Sequence, residues 1–542
     1  MADGHQADRG ITRRGFVAGV ASGALASAAA CASDDTKEAP RWQREVDVVV
    51  VGAGTGLVGA LAAAVGGAEV MVLEKGVAPG GSTAMSGGVV WVPNNHAMAA
   101  EGIEDSRAAV LTYLRQLSQG QADEELIEAF VDAAPRMARF VEDHSELAWR
   151  VSRIMGGVAD YHPEWPGAVL RGRSIEPAID RDGHYGGDLI NGLLDAVKSQ
   201  GGELLLETPA TRLITREGAD GSREVIGVEA VQGGNVMRVK ARRGVVLSAG
   251  GYEWDFEMKR HFLRGPAIYP LGANRNTGDG IRMAMAVGAD LRNMNEVWGI
   301  AAYRGEADEM RPSGGGPSLM GEVEKRYPGS IVVNRYGERF HNEASDYDSS
   351  WRSFYAWENW GLLRYRNIPA YTIFDSTVRE NLTIAGRKSS LSLPEWVREG
   401  DSIASLARRL EVDPSGLEAT VVRFNSSARD GNDPDFHRGE SAYDRQGGDD
   451  VKVTLGPIEK PPFYGAELAP ADLGTCGGPR VNPNAQVLDP FGNIIPRLYA
   501  SGNNAGVGSP GSSYGGGGGT IGPALTFAFL AGSHVSQLVE WS

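Results

Sequence analysis

Cysteine is nearly missing from this chain of 542 residues, which has two, Cys31 and Cys476. Neither a disulfide framework nor a thiolate metal site can be built from so few, so redox chemistry has to come from a bound cofactor. The nine histidines include no H-x-H or H-E-x-x-H pair, and no G-x-x-x-x-G-K-[ST] loop occurs. Metal-dependent hydrolysis and nucleoside triphosphate chemistry are therefore unsupported, and no metal site is expected. Basic residues number 53 against 69 acidic ones, and the formal charge of -16 repels a nucleic-acid backbone or an anionic membrane surface. Beyond residue 35 no uninterrupted apolar run is long enough to span a bilayer.

What the chain has in abundance is glycine, 74 residues, about twice the usual share of roughly 7%. Many tight backbone turns follow from that. The length exceeds what one hydrophobic core supports, so two or more lobes are expected. Residues 1–35 have a separate logic. Thr12-Arg13-Arg14-Gly15-Phe16 leads into a weakly apolar Ala- and Gly-rich stretch, Val17 to Ala30, with small residues at Ala28 and Ala30. This resembles a twin-arginine export signal, a pathway that carries folded, cofactor-loaded proteins to the periplasm or cell envelope. Ala28-Ala29-Ala30-Cys31 also admits reading as a lipid-attachment site, weakened by the lack of the usual aliphatic residue.

From Glu45 the pattern becomes that of an α/β protein. Val48-Val49-Val50-Val51 reads as a buried parallel strand. Gly52-Ala53-Gly54-Thr55-Gly56-Leu57 follows, then a small-residue helix over 56–65, then an aliphatic strand ending at Glu74. Glycines placed after a strand and before a helix let the backbone approach a pyrophosphate, whose charge the helix N-terminus favours. Glu74, at the end of the next strand, is placed to accept ribose hydroxyls. Leu57 stands where a third glycine or alanine is usual. The alternative frame, Gly54, Gly56 and Gly59, has the full spacing but starts two residues beyond the strand end. Gly80-Gly81-Ser82-Thr83-Ala84-Met85-Ser86-Gly87-Gly88 supplies small residues and hydroxyls that suit a flat ring system and its phosphates. Later strands, 244–248 and 498–500, run into Ala249-Gly250-Gly251 and Ser501-Gly502-Asn503 and are expected to turn under the same ligand. Between about 299 and 467 aromatics are frequent and aliphatic strands fewer, and the polar stretch 430–450 reads as a surface excursion.

Together these segments resemble the fumarate reductase and 3-ketosteroid dehydrogenase flavoprotein superfamily, over nearly the whole chain after residue 44. The resemblance implies a Rossmann-like FAD-binding domain at 44–298 and 468–542, with an inserted α+β catalytic domain at 299–467. It implies non-covalent FAD held by Gly52, Gly54, Thr55, Gly56, Glu74 and Lys75. It extends the contacts to Gly81, Ser82, Thr83, Ser86, Gly87 and Gly88, to Ala249, Gly250 and Asp279, and to Gly502, Asn503, Gly519, Thr520 and Ile521.

Dicarboxylate ene-reductases of this superfamily carry a proton-delivering arginine shortly before the final glycine-rich helix start. Here the sequence is Ser512-Ser513-Tyr514-Gly515-Gly516-Gly517-Gly518-Gly519-Thr520-Ile521, which is similar to the 3-ketosteroid Δ1-dehydrogenases. By that resemblance the Tyr514 hydroxyl and the Gly518 N–H polarise a ketone as an oxyanion hole does. Tyr347 removes the proton from the adjacent carbon, and Tyr161 hydrogen-bonds to that base, with His162 as a further relay. A free tyrosine has a pKa near 10, so Tyr347 needs a cationic or hydrogen-bonding environment. The expected substrate is a small, steroid-like ketone, and the expected electron acceptor an external one such as a quinone. No nucleic acid is expected, and association with a membrane surface is left open. Alternatives are an ene-reductase, a 4-ene-forming 3-ketosteroid dehydrogenase, and an exported flavin electron carrier. Gly511-Ser512-Ser513-Tyr514-Gly515 matches the hydrolase pattern G-x-S-x-G, but a glycine run follows it where a helix should start.

Overall fold

In a computed structural model, the described residues are 41–179, 185–218, 221, 223–266, 269–511 and 513–541. The twin-arginine segment and Cys31 lie outside them. The valine run forms β1 (Arg44–Val51), with Val48, Val49 and Val50 fully buried. It pairs in parallel with β2 (Val70–Leu73) on one side and with β6 (Asn235–Leu247) on the other. The β-branched side chains pack on both faces, as a central strand of a parallel sheet requires. β2 continues to β3 (Glu203–Leu205), and β6 continues in parallel to β12 (Ile494–Ala500) and the antiparallel edge strand β11 (Gln486–Leu488). The N-terminal half of β6 pairs with β5 (Arg223–Gln232), which pairs with β4 (Ala210–Glu217).

The pairing of β12 with β6, Leu498 opposite Val245, brings the last 50 or so residues back onto the first sheet. Helix α6 (Ile521–Val535) then lies against α1 (Gly56–Val65). The backbones almost touch: a Cβ on Gly532 would sit 2.1 Å from the Gly59 carbonyl oxygen, and one on Gly59 would sit 2.8 Å from that of Ala528. The Gly59 of the alternative frame is thus a helix-packing residue, and Leu57 is fully buried in the core.

The second sheet is antiparallel through β7 (Val297–Tyr303), β10 (Phe463–Thr475), β9 (Ala370–Asp375) and β8 (Ser330–Asn334). The short strands Tyr269–Pro270 and Arg398–Gly400 also join β10. Helices Ile403–Leu410 and Pro414–Ala428 cover this sheet through Leu406, Leu410, Leu417 and Phe424.

The stretch 430–450 lies largely at the surface, as its polarity suggests, but a few of its residues anchor it in the interior. Asp433, Arg438, Tyr443 and Asp444 are all buried. Arg339 bridges Glu343 (2.6 Å) and Asp433 (2.8 Å), and Arg438 reaches Glu343 at 3.1 Å. The charges that this anchor buries are satisfied by each other. Two guanidinium groups hold the Glu343 carboxyl well below the usual carboxylate range despite its burial.

Gly52 marks the point where the first sheet must turn. Its φ is +105°, and a Cβ there would lie 2.3 Å from the Ser248 carbonyl oxygen. Gly52→Ala is expected to lower unfolding free energy by at least about 1–3 kcal/mol, the usual cost of such backbone strain. Chemical denaturation of the FAD-free and FAD-loaded proteins measures it, and an unchanged midpoint would refute the strain argument.

Candidate active site

The glycine loop is pinned from β2. Glu74 accepts the Ala53 N–H at 2.9 Å through Oε2 and the Gly76 N–H at 2.6 Å through Oε1. Gly54 faces the second glycine segment, since a Cβ on it would lie 3.4 Å from the Gly80 carbonyl oxygen and 3.8 Å from Thr83 Oγ1. In that segment Gly81 opens α2 (Gly81–Met85). Ser82 Oγ accepts from Ala273 N (2.9 Å) and Asn276 Nδ2 (3.0 Å), and Ser86 Oγ accepts the Gly88 N–H (3.1 Å). Gly87 is half-buried beside it.

The C-terminal block meets this cradle. A Cβ on Gly502 would lie 3.2 Å from Thr55 Oγ1. Asn504 Oδ1 accepts the Ala249 N–H at 3.0 Å, while its buried Nδ2 has no partner among the described residues. Gly250 turns there with φ +76°. Gly56 packs against the side chain of Ser248, whose hydroxyl bonds that of Ser501 at 2.6 Å. Lys75 Nζ bonds Asp279 Oδ2 (2.5 Å) and Thr277 Oγ1 (2.7 Å). That pair borders a groove of about 640 Å³ that Pro209–Leu213 and Arg282 also line. Closely opposed glycine backbones, an orphaned buried amide and two helix N-termini suit a dinucleotide carrying a flat ring.

The three tyrosines converge from distant parts of the chain. Tyr161 follows Asp160, which Arg173 Nη1 (2.7 Å), Trp91 Nε1 (2.9 Å) and Val169 N (2.8 Å) hold in the interior. Tyr347 opens α5 (Tyr347–Ser353), whose N-cap Asp346 accepts from Ser349 N at 2.9 Å. Tyr514 precedes α6 in a loop held by the bond from Gly519 N to Gly516 O. The Tyr161 hydroxyl donates to that of Tyr347 at 2.9 Å. Tyr514 stacks on Tyr161 at 5.6 Å and meets Tyr347 edge-on at 4.9 Å. Its hydroxyl is 3.5 Å from Thr520 Oγ1. Gly518, at φ +86°, packs against the Val89 carbonyl and gives its own carbonyl to Trp91 N (3.1 Å). No hydrogen-bond acceptor takes its N–H among the described residues. Ile521 opens α6 beside it.

His162 stacks on Trp165 (4.1 Å) and lies 3.9 Å from Asp346, an arrangement that joins it to the helix cap. Ser513 makes no hydrogen bond to a histidine among the described residues. Burial raises all three tyrosine pKa values, those of Tyr347 and Tyr161 well above 10, so each is a phenol at neutral pH. Tyr514 is thereby kept a hydrogen-bond donor. Tyr347 has no cation in contact among the described residues; the Tyr161 hydroxyl donates to it, while burial first and then the neighbouring Tyr161 and Tyr514 push its pKa up.

Residues 47–520 match the FAD binding domain family. The chain belongs to that family. It is 35% identical to the 3-oxosteroid 1-dehydrogenase of Mycobacterium tuberculosis over 91% of this chain and 99% of that protein. It is 34% identical to the 4-oxocyclohexanecarboxylate 2-dehydrogenase of Sinomonas cyclohexanicum, over 90% and 92% of the two chains. The crystal structure of a 3-ketosteroid Δ1-dehydrogenase from Sterolibacterium denitrificans with 1,4-androstadiene-3,17-dione matches with a TM-score of 0.81. It shares 30% identity over 91% of this chain and 99% of that one. The protein is an FAD-dependent oxidoreductase acting on CH–CH groups.

Several residues of this flavoenzyme site escaped sequence reasoning. Trp298 meets Tyr514 edge-on at 5.3 Å and donates to Asn503 Oδ1 at 3.0 Å, tying the tyrosines to the cofactor cradle. Tyr443 lies 4.8 Å from Tyr161. Neither has a motif around it, and Tyr443 is one of the few buried residues of a largely exposed stretch. Glu253, just after Ala249-Gly250-Gly251, is fully buried, accepts from Asn276 Nδ2 at 2.6 Å, and leaves Oε2 unpartnered among the described residues.

Burial, reinforced by nearby Asp472, pushes the Glu253 carboxyl up to about 8. The folded protein therefore keeps a proton that the unfolded chain releases near 4.5, so this group opposes folding increasingly as pH rises from about 4.5 through 8. Thermal melts at pH 5 and pH 8 should show Glu253→Gln losing less stability over that interval than the parent protein. Equal losses would place the proton elsewhere.

Proposed function

We propose that this enzyme removes two hydrogens from a 3-ketosteroid or similar cyclic ketone, across the carbon–carbon bond next to the carbonyl. The observation that carries this reading is the 2.9 Å hydroxyl contact between Tyr161 and Tyr347, with Tyr514 packed on both. The Tyr514 hydroxyl and the unengaged Gly518 N–H bind the ketone oxygen and stabilise the charge that gathers there as the neighbouring carbon is deprotonated. The proton passes to the Tyr347 oxygen, whose anionic form the Tyr161 hydroxyl supports by donating to it. FAD, held by the glycine loop at Gly52–Gly56 and the Gly81–Gly88 segment, would supply the hydride-accepting chemistry for the hydrogen on the next carbon. The single bond becomes double, conjugated with the carbonyl, and an external acceptor such as a quinone takes the electrons. The aromatic walls, Trp298 and Tyr443 among them, exclude water from this transfer. Relatives named for both a steroid and a one-ring ketone support the ketone class.

Domain organisation follows the same reading: an FAD-binding domain of 44–298 and 468–542, with a catalytic domain of 299–467 inserted into it and the substrate held between them. Export through the twin-arginine pathway accords with a cofactor-loaded enzyme whose first 35 residues carry Arg13 and Arg14. Replacing both arginines with lysine should leave FAD-loaded protein inside the cell. Unchanged fractionation would remove the export assignment.

Because burial keeps Tyr347 a phenol, its reactive anion grows about tenfold per pH unit below its pKa. Anaerobic stopped-flow mixing with 4-androstene-3,17-dione should show flavin bleaching that accelerates from pH 6 to pH 10. Tyr347→Phe should keep the flavin spectrum and slow bleaching by about 100-fold or more. Unchanged bleaching in that variant would exclude Tyr347 as the base, and a flat profile would exclude a phenolate.

A further inference from the structure

Arg326 is a buried cation, 8% exposed, whose guanidinium hydrogen-bonds to one residue among those described. Nη1 donates to the Tyr443 hydroxyl at 3.4 Å and Nη2 to the Tyr443 carbonyl at 3.2 Å. The guanidinium carbon lies 4.8 Å from the centre of that ring, and Nε has no partner. No carboxylate lies within ion-pair distance of it among the described residues. The carboxylates nearby are engaged elsewhere. Glu322 bonds Lys325 at 2.9 Å, Asp444 accepts from Asn342 and Gly439 N at 2.8 Å each, and Asp346 caps α5. An unpaired guanidinium is costly to bury, and its field is little screened there. Tyr443, on which it rests, packs against Tyr161 at 4.8 Å, and Tyr161 bonds Tyr347.

We propose that Arg326, acting through Tyr443, is a positioning residue for proton abstraction: it fixes Tyr161 against Tyr347 and supplies the positive field that supports the anion on that pair. Arg326 holds Tyr443 from both its hydroxyl and its backbone, and a second tie runs the same way. Ser441 Oγ bonds Glu164 Oε2 at 3.1 Å and accepts from Tyr443 N at 3.1 Å, joining the Tyr443 segment to the one carrying Tyr161. Thr454 anchors the Arg326 carbonyl at 3.1 Å. The groups facing the tyrosines from other elements oppose the anion or are neutral. Asp346 adds negative charge from α5, and Tyr514 adds a phenol from the C-terminal loop. Arg326 is the cation that offsets Asp346 from the other side, and burial and Asp346 raise the Tyr443 pKa against its pull.

This inference rests on the reading of Tyr347 as the base, and its test separates the two. The full-length, FAD-loaded protein and its Arg326→Met, Arg326→Lys and Tyr443→Phe variants are mixed anaerobically with 4-androstene-3,17-dione across pH 6 to 10. In parallel, tyrosinate absorbance is titrated without ketone. Arg326→Met should slow flavin bleaching by about tenfold throughout pH 6 to 10, the displacement of about one pH unit expected when the base's pKa rises above that range, so that the variant reaches the parent's pH 7 rate only near pH 8. Arg326→Lys should recover most of the rate. Tyr443→Phe, which keeps the ring and serves if Arg326→Met fails to retain FAD, should shift the profile the same way by less. The highest-pH tyrosinate step should rise in the same variants. Loss of rate with the tyrosinate step unmoved, or profiles and titrations matching the parent, would overturn the role of Arg326. If the parent flavin is not bleached by the ketone, the functional reading fails, and the tyrosinate titration alone then decides for or against the field of Arg326.

Discussion

The parallel pairing of β12 with β6 is the constraint on which the rest of this molecule depends. Without it the Gly502–Asn504 turn would not reach Thr55, and Tyr514 and Gly518 would not face residues more than 150 positions earlier in the chain. The pairing is enforced by apolar burial on both faces of a parallel sheet, where Leu498 and Val245 are fully enclosed. It is tightened by two helices whose glycines let their backbones meet.

The site gains its chemistry from being dry. Burial drives the tyrosines toward the neutral phenol, which suits Tyr514 as a donor and handicaps Tyr347 as a base. The Tyr161 hydroxyl is the compensation in direct contact, and the field of Arg326 reaches the same pair through Tyr443. Opposite demands on two like residues are met by different neighbours, a common way for one side-chain type to take two roles.

The second sheet supports this arrangement through charge pairing deep in its interior. Arg339, Glu343, Asp433 and Arg438 knit the segment after β8 to the stretch 430–450. Tyr443 and α5 with its Tyr347 lie close to that network in sequence, so a polar scaffold fixes the places of apolar and aromatic groups that the reaction needs. Such a network is costly when incomplete, and its contribution here is a single register between chain segments a hundred residues apart.

The sequence by itself determined the elements whose cause is local. Four consecutive valines form a buried strand wherever a sheet will take them, and Gly52 turns where a Cβ would strike Ser248. A helix begins at Gly56 because small residues follow a tight turn. The order of the three tyrosines and Gly518 was legible through resemblance. What only the tertiary structure decided depends on distant partners. Asp433 and Arg438 look as solvated as the polar stretch around them until Arg339 and Glu343 are brought to them, and Tyr443 looks ordinary until Arg326 and Tyr161 flank it. Glu253 looks like an exposed acid until the turn after Gly251 folds beneath β10. A charge's environment in a folded chain is set by contacts across the fold, and composition along the chain does not carry that information.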